Sequence, residues 1–262
     1  LKGHVMRICA SAVSHPGNCR NKNEDNFCFD RTILKGNATS WPLRFRRQAG
    51  SPVLFGIFDG MGGIKAGERA SRIAAETAQS AVKAMTSNTS FDSFLKEICM
   101  QANAKACNEM INSIKQRIGT TASMLLFSED QYFLCNIGDS PIFLFRENQL
   151  QPIFHEHTEK ENYLRLHGVN AVLPKKKFKL TQNIGIFPEE MEIEPYVASG
   201  KIKSSDRYLI TSDGLTDMVT EEVIAETLGK KMSSAKTVKT LLQLALDNGG
   251  KDNTTIICID IK

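Results

Sequence analysis

The chain has 262 residues, enough to bury a full core as one large domain or two small ones. Its 41% hydrophobic and 24% charged residues are those of an ordinary globular protein, and a net charge of +4 (33 basic against 29 acidic) is too small to argue for nucleic acid. No apolar run approaches the roughly 18 residues of a membrane helix and no leader is visible, so neither nucleic acid nor a membrane is expected as a partner.

Short β-like runs open the chain at residues 5–14 (VMRICASAVS), 26–30 (NFCFD) and 53–59 (VLFGIFD). Between the second and third, residues 33–52 read as a long polar and basic loop, with Arg44, Arg46 and Arg47 on a solvated face. The period then changes. Ala70, Ile73, Ala74, Ala78, Ala81, Val82 and Met85 make one amphipathic helix ending near Asn88. Phe91, Leu95, Ile98, Ala102 and Met110 make a second, with Ser90 as its N-cap. Strands resume at 121–127, 131–139 and 141–146. From 155 to about 204 the pattern blurs into a surface excursion that carries Lys175, Lys176 and Lys177 as a solvated cluster. A strand at 207–213, helices at 221–228 and 234–246, and a strand at 254–261 complete the chain. This order predicts an α+β fold with meander-like antiparallel strands. Seven cysteines form no Cys-x-x-Cys pair, and several sit in apolar runs. Free thiols in a reducing, cytoplasmic setting are expected.

Carboxylates recur where strands begin or end. Glu24 and Asp25 precede one strand, Asp59 and Asp213 end strands just before glycines, Asp139 ends another, and Asp252 precedes the last. Each alone is a plausible turn residue. Brought to one rim of a sheet, each pair would repel by roughly 4 kcal/mol at 4 Å and an effective dielectric of 20, so the group would either protonate or hold cations. An all-oxygen donor set suits hard ions such as Mg²⁺ and Mn²⁺. The nearby His155 and His157 are better read as solvated loop residues than as metal ligands.

The ordered series Arg20 with NKNED, FDGMGG, GTTA, IGDS, LTQNIG, TSDGLTD and KDNTT resembles the motifs of the PP2C-type (PPM) metal-dependent Ser/Thr protein phosphatases, of bacterial type. The resemblance spans nearly the whole chain and implies one domain over residues 1–262. The implied fold is a β-sandwich of two antiparallel sheets flanked by helices, in four layers α-β-β-α. A short, basic, variable flap would occupy about 155–182. Asp59 would bridge two tightly bound Mn²⁺ or Mg²⁺ ions. Asp213 and Asp252 would hold the first, and Glu24 with the Gly60 carbonyl the second, with Asp25 in the water shell. Asp139 and Asp217 match positions tied to a third, weaker ion. Arg20 would bind the substrate phosphate. The implied reaction is hydrolysis of phosphoserine and phosphothreonine by a hydroxide shared between the two metals, with no phosphoenzyme. The substrates would be phosphoproteins made by a Ser/Thr kinase, and the enzyme a monomer. In this light Gly60 lacks a side chain so that its carbonyl can face a cation, and Gly62 and Gly63 let the chain turn at once into a helix.

The chain departs from the family pattern at Met61, where many eukaryotic members carry a histidine taken as the general acid. Pro141 also stands where an arginine is common. A metal-bound water, or His155, His157 or His167 from the flap, is left to protonate the leaving group. Competing readings are a pseudophosphatase or regulatory binding module on the same fold, and a small-molecule phosphatase. An aspartyl-nucleophile enzyme would need a second aspartate at the position of Met61.

Overall fold

The structure is a computed structural model that describes residues 6–62, 66–85, 90–174 and 178–262. In chain order its first strands are β1 (Arg7–His15), β2 (Asn26–Phe29), β3 (Thr32–Ile33), β4 (Leu43–Gln48), β5 (Val53–Phe58) and β6 (Gly60–Gly62). Two long helices follow, α1 (Ala66–Ala84) and α2 (Phe91–Glu109), then β7 (Ile118–Thr120), β8 (Ala122–Ser128), β9 (Gln131–Ile137), β10 (Ile142–Arg146) and β11 (Gln149–Pro152). The remainder is α3 (Glu159–His167), β12 (Tyr196–Lys201), β13 (Arg207–Thr211), α4 (Asp213–Thr216), α5 (Glu221–Gly229), α6 (Ser234–Asp247) and β14 (Thr254–Ile261).

Side-chain alternation along these strands builds the layers. In β5, Val53, Phe55 and Ile57 face one way, into a core shared with Ile8, Ala10, Ile142, Leu144, Tyr208 and Ile257 of the opposite sheet. Leu54 and Phe58 face the other way, onto Ala70, Ala74 and Ala78 of α1 and Leu95, Ile98 and Ala102 of α2. In the opposite sheet, Phe143, Leu209, Ile256 and Cys258 turn outward onto Ile224 of α5 and Val238 and Leu241 of α6. The sheets run β11-β10-β13-β14-β1-β4 and β12-β9-β8-β5-β2-β3, all pairs antiparallel. The expected four-layer α-β-β-α sandwich is what forms. β5, buried on both faces, is apolar throughout because neither face meets water, and β14 carries the apolar run Ile256–Ile259 for the same reason.

Three expectations change. Residues 43–48 are no loop but the edge strand β4, paired with β1 through Leu43↔Ala12 to Gln48↔Arg7. Its alternating exposure puts Phe45 onto Phe29 and Phe55 and turns Arg44 and Arg46 to solvent. The stretch from 155 to 204 contains α3 and β12, and β12 pairs with β9. Third, Asp59 does not lead straight into a helix. Gly60, Met61 and Gly62 run extended as β6 against β7, and α1 begins only at Ala66. Gly63 and the predicted helix end near Asn88 lie outside the described residues, as do Lys175, Lys176 and Lys177. Among the described residues all seven cysteines are free, five of them buried, and no helix is long and apolar enough to cross a membrane.

Candidate metal centre

Asp59 stands at the end of β5, and its main chain is held on both sides. Its N–H donates to Thr121 Oγ1 at 3.0 Å, and its carbonyl accepts from Thr121 N–H at 2.9 Å and Thr120 Oγ1 at 2.8 Å. Thr121 Oγ1 also pairs with Ser140 Oγ at 2.7 Å. A carboxylate so rigidly mounted has little freedom to move away from its neighbours. Burial, followed by the carboxyls of Asp25, Asp213 and Asp139, drives the Asp59 carboxyl far above the usual carboxylate range, and it donates a hydrogen bond to Asp213.

Asp213 opens α4 just after β13. Burial, then Asp217 and Asp252, raise its carboxyl, while the hydrogen bonds from Asp59 and the Gly214 N–H pull the other way. Asp139 follows β9 and the left-handed Gly138, and burial, then Asp213, with smaller pushes from Glu156 and Asp217, lifts it to about 7. Asp217, one turn beyond Asp213, is exposed; its N–H donates to Asp213 O at 2.8 Å. Asp25 is 2% exposed. Its Oδ2 accepts from Thr255 Oγ1 at 2.7 Å and Ser212 Oγ at 2.8 Å, while Oδ1 is buried without a partner.

Glu24 lies against the start of α1, where the N–H groups of Gly67 and Glu68 offset the upward push of burial on its carboxyl, and it also feels Arg20 and Asp252. Arg20 Nη2 donates to Asp252 Oδ2 at 2.7 Å, both side chains more than a third exposed. Backbones press together beneath these groups. A Cβ on Gly60 would collide with the carbonyls of Glu24 and Gly67, and one on Gly214 with the carbonyl of Asn253. Gly60 is therefore needed for close approach.

All nine residues expected at the site thus come to one rim of the sandwich. Several partners that place them were not singled out from the sequence. Asn253 Oδ1 accepts from Glu24 N–H at 2.7 Å, and its Nδ2 donates to Pro16 O at 3.0 Å and Lys22 O at 2.8 Å. One buried amide therefore binds the loop bearing Arg20 and Glu24 to the loop bearing Asp252. Ser212, Thr255, Thr121 and Glu156 also escaped notice. The hydroxyls beside the carboxylates in TSD and NTT were the available signal. Of the flap histidines, His167 stacks on Tyr163 with ring centroids 4.1 Å apart, His155 packs on Tyr196, and His157 is buried against Gly138.

The donor set fits a hard cation. The groups are carboxylates and main-chain oxygens, they raise one another's affinity for protons, and Asp25 keeps one buried oxygen unpaired. Among the described residues no group of three or more His, Cys, Asp or Glu side chains is already drawn close enough to hold an ion.

Residues 42–247 match the sequence profile of the family "Protein phosphatase 2C". The chain belongs to this family. The phosphatase 2C match stops short of Arg20, Glu24 and Asp25 at one end and of Asp252 at the other. The chain is 30% identical over 216 residues to the serine/threonine protein phosphatase PstP of Mycobacterium tuberculosis, covering 79% of this chain but only 40% of that protein. It therefore spans well under half the length of that relative. To the serine/threonine phosphatase stp of Listeria monocytogenes it is 26% identical over 227 residues, covering 82% of this chain and 87% of the relative. The crystal structure of the catalytic domain of PstP in complex with two manganese ions superposes with a TM-score of 0.74 at 26% identity, covering 98% of this chain and 99% of that one.

Proposed function

We propose that the chain hydrolyses phosphoserine and phosphothreonine in proteins, by metal-dependent attack of water and without a phosphoenzyme. The observation that carries this is the convergence of Asp25, Asp139 and Asp213 on the rigidly mounted Asp59. The catalytic domain of PstP with two manganese ions supports the choice of cation.

In this reading Asp59, Asp213 and Asp252 would hold one ion, and Asp59, Glu24 and the Gly60 carbonyl a second, with Mn²⁺ or Mg²⁺ as the fitting species. Asp25 would orient water beside them, and Asp139 and Asp217 would serve a third, weaker site. The ions supply a water of lowered pKa and neutralise charge on the phosphoryl oxygens. Arg20, more than half exposed beside Asp252, would offer its fork to the substrate phosphate. The buried cysteines take no part, since burial raises the thiols of Cys28 and Cys258 to about 12. Met61 has no proton to give; its Cγ lies against Gly119 beside the Asn183 amide. One domain bearing the 155–182 flap carries the whole reaction. We place it, as a monomer, in the reducing cytoplasm that seven free thiols suit, acting on the products of Ser/Thr kinases.

The test is turnover of a phosphothreonine peptide panel with Mn²⁺, with Mg²⁺ and after exhaustive chelation. Turnover that needs the metal supports the reading. Full activity after chelation overturns it, and tight metal binding without turnover favours the binding-module alternative.

A further inference from the structure

His157 is 8% exposed and grips Gly138, the residue just before Asp139, by both its carbonyl and its N–H. Its N–H donates to the Gly138 carbonyl at 3.0 Å, and the Gly138 N–H donates to its ring Nδ1 at 3.2 Å. Nδ1 also stands 3.3 Å from the Gly138 carbonyl, but the Gly138 N–H can only donate, so we assign Nδ1 as its acceptor and the ring proton to Nε2. Gly138 sits at φ +102°, and a Cβ there would meet Thr121 Cγ2 at 2.6 Å. Thr121 is the residue that holds both the N–H and the carbonyl of Asp59. On its other side the His157 carbonyl accepts from Thr181 N–H at 2.9 Å, Thr158 caps α3 through Glu161 N–H at 3.1 Å, and Asn136 pairs twice with the His155 main chain, at 2.6 and 3.0 Å. The start of the flap therefore closes on the turn that carries Asp139, and Thr181 near its end is tied to that start through His157.

We propose that His157 is a positioning residue for the reaction, fixing the Gly138 peptide so that the Asp139 carboxylate is aimed at Asp59 and Asp213, and tying the flap to that carboxylate. The inference rests on Asp139 being a cation-binding carboxylate.

The experiment compares Asp139→Ala, His157→Phe, His157→Asn and the Asp139→Ala/His157→Phe double variant. It measures calorimetric Mn²⁺ binding to the metal-free proteins, and kcat and KM on a phosphothreonine peptide. His157→Phe keeps the bulk and removes the acceptor. It should lower kcat about tenfold, the effect of losing one buried positioning bond, with KM little changed. It should also weaken the same Mn²⁺ step that Asp139→Ala weakens. Acting through Asp139, it should add nothing in the double variant, whereas damage to the fold alone would multiply. His157→Asn puts an amide oxygen where Nδ1 was and should restore turnover. Should His157→Phe not fold, His157→Gln, which reaches the place of Nε2 but not that of Nδ1, takes its part in the same comparison. If Asp139→Ala is silent in binding and turnover, the role of Asp139 falls and the inference with it. If Asp139→Ala is costly but the losses multiply, or the asparagine variant is no better than the acceptor-free one, only the inference falls.

Discussion

Replacing Asp139 by asparagine should make the metal-free protein more stable at pH 8. Burial and the neighbouring carboxyls lift Asp139 from 3.8 to about 7, so the folded state resists its ionisation. The folded value lies above the unfolded one. The folded chain therefore binds the extra proton between about pH 4 and 7, and stability falls as pH rises through that window. At 1.36 kcal/mol per pH unit the full effect is about 4 kcal/mol, of which about 3 kcal/mol falls between pH 5 and pH 8. These are upper figures because part of the carboxyl meets water. Urea unfolding of both proteins at pH 5 and pH 8, after chelation, reads the difference directly. Asparagine should gain over aspartate at pH 8 and gain much less at pH 5. Saturating Mn²⁺ should remove the gain, because it neutralises the same carboxylate in the wild type. An equal gain at both pH values, or none at pH 8, would refute the electrostatic reasoning.

Asp59→Asn should lose more than about a hundredfold in kcat, beyond what the loss of an outer-shell partner gives; circular dichroism and melting should show the fold intact, and near wild-type turnover would remove Asp59 from the centre. Arg20→Ala should lower kcat/KM on phosphopeptides at least about tenfold with little change in Tm, because its exposed pair with Asp252 is worth under about 1 kcal/mol. An unchanged kcat/KM would take Arg20 out of the site. Gly60→Ala drives a methyl group into two main-chain carbonyls that cannot rotate away. It should cost more than about 2 kcal/mol by urea unfolding, and a wild-type midpoint would contradict the close approach.

What the sequence revealed follows from where water is. β5 and β14 are buried on both faces, and α1 and α2 each bury one stripe, so their apolar residues fall in runs or at helical spacing. β4 hides because three of its six residues are arginines and only Leu43 and Phe45 mark its inner face. β11 and β12 are edge strands with half-exposed, polar sequences, and α3 buries no residue at all. None of these leaves a periodic imprint. The carboxylates were legible because strand ends bring such residues to one rim. Their supports were not. Asn253 reaches Glu24 across 229 positions and Thr255 reaches Asp25 across 230, and nothing local to either end signals the meeting.

That separation has a consequence for how the protein is made. β1 and β14 lie side by side in the middle of their sheet, from Ile8↔Ile261 to His15↔Thr254, and Asp252 sits just ahead of β14. A chain emerging from the ribosome presents Arg20, Glu24, Asp25 and Asp59 early, yet it cannot complete the carboxylate set until Asp252 and the strand behind it arrive. Closing a contact over so many residues is entropically slow. Until β14 inserts, β1 presents an open edge in the middle of an unfinished sheet, ready to pair with another chain. The last strand of the sandwich to be translated therefore both completes the site and seals the molecule against aggregation.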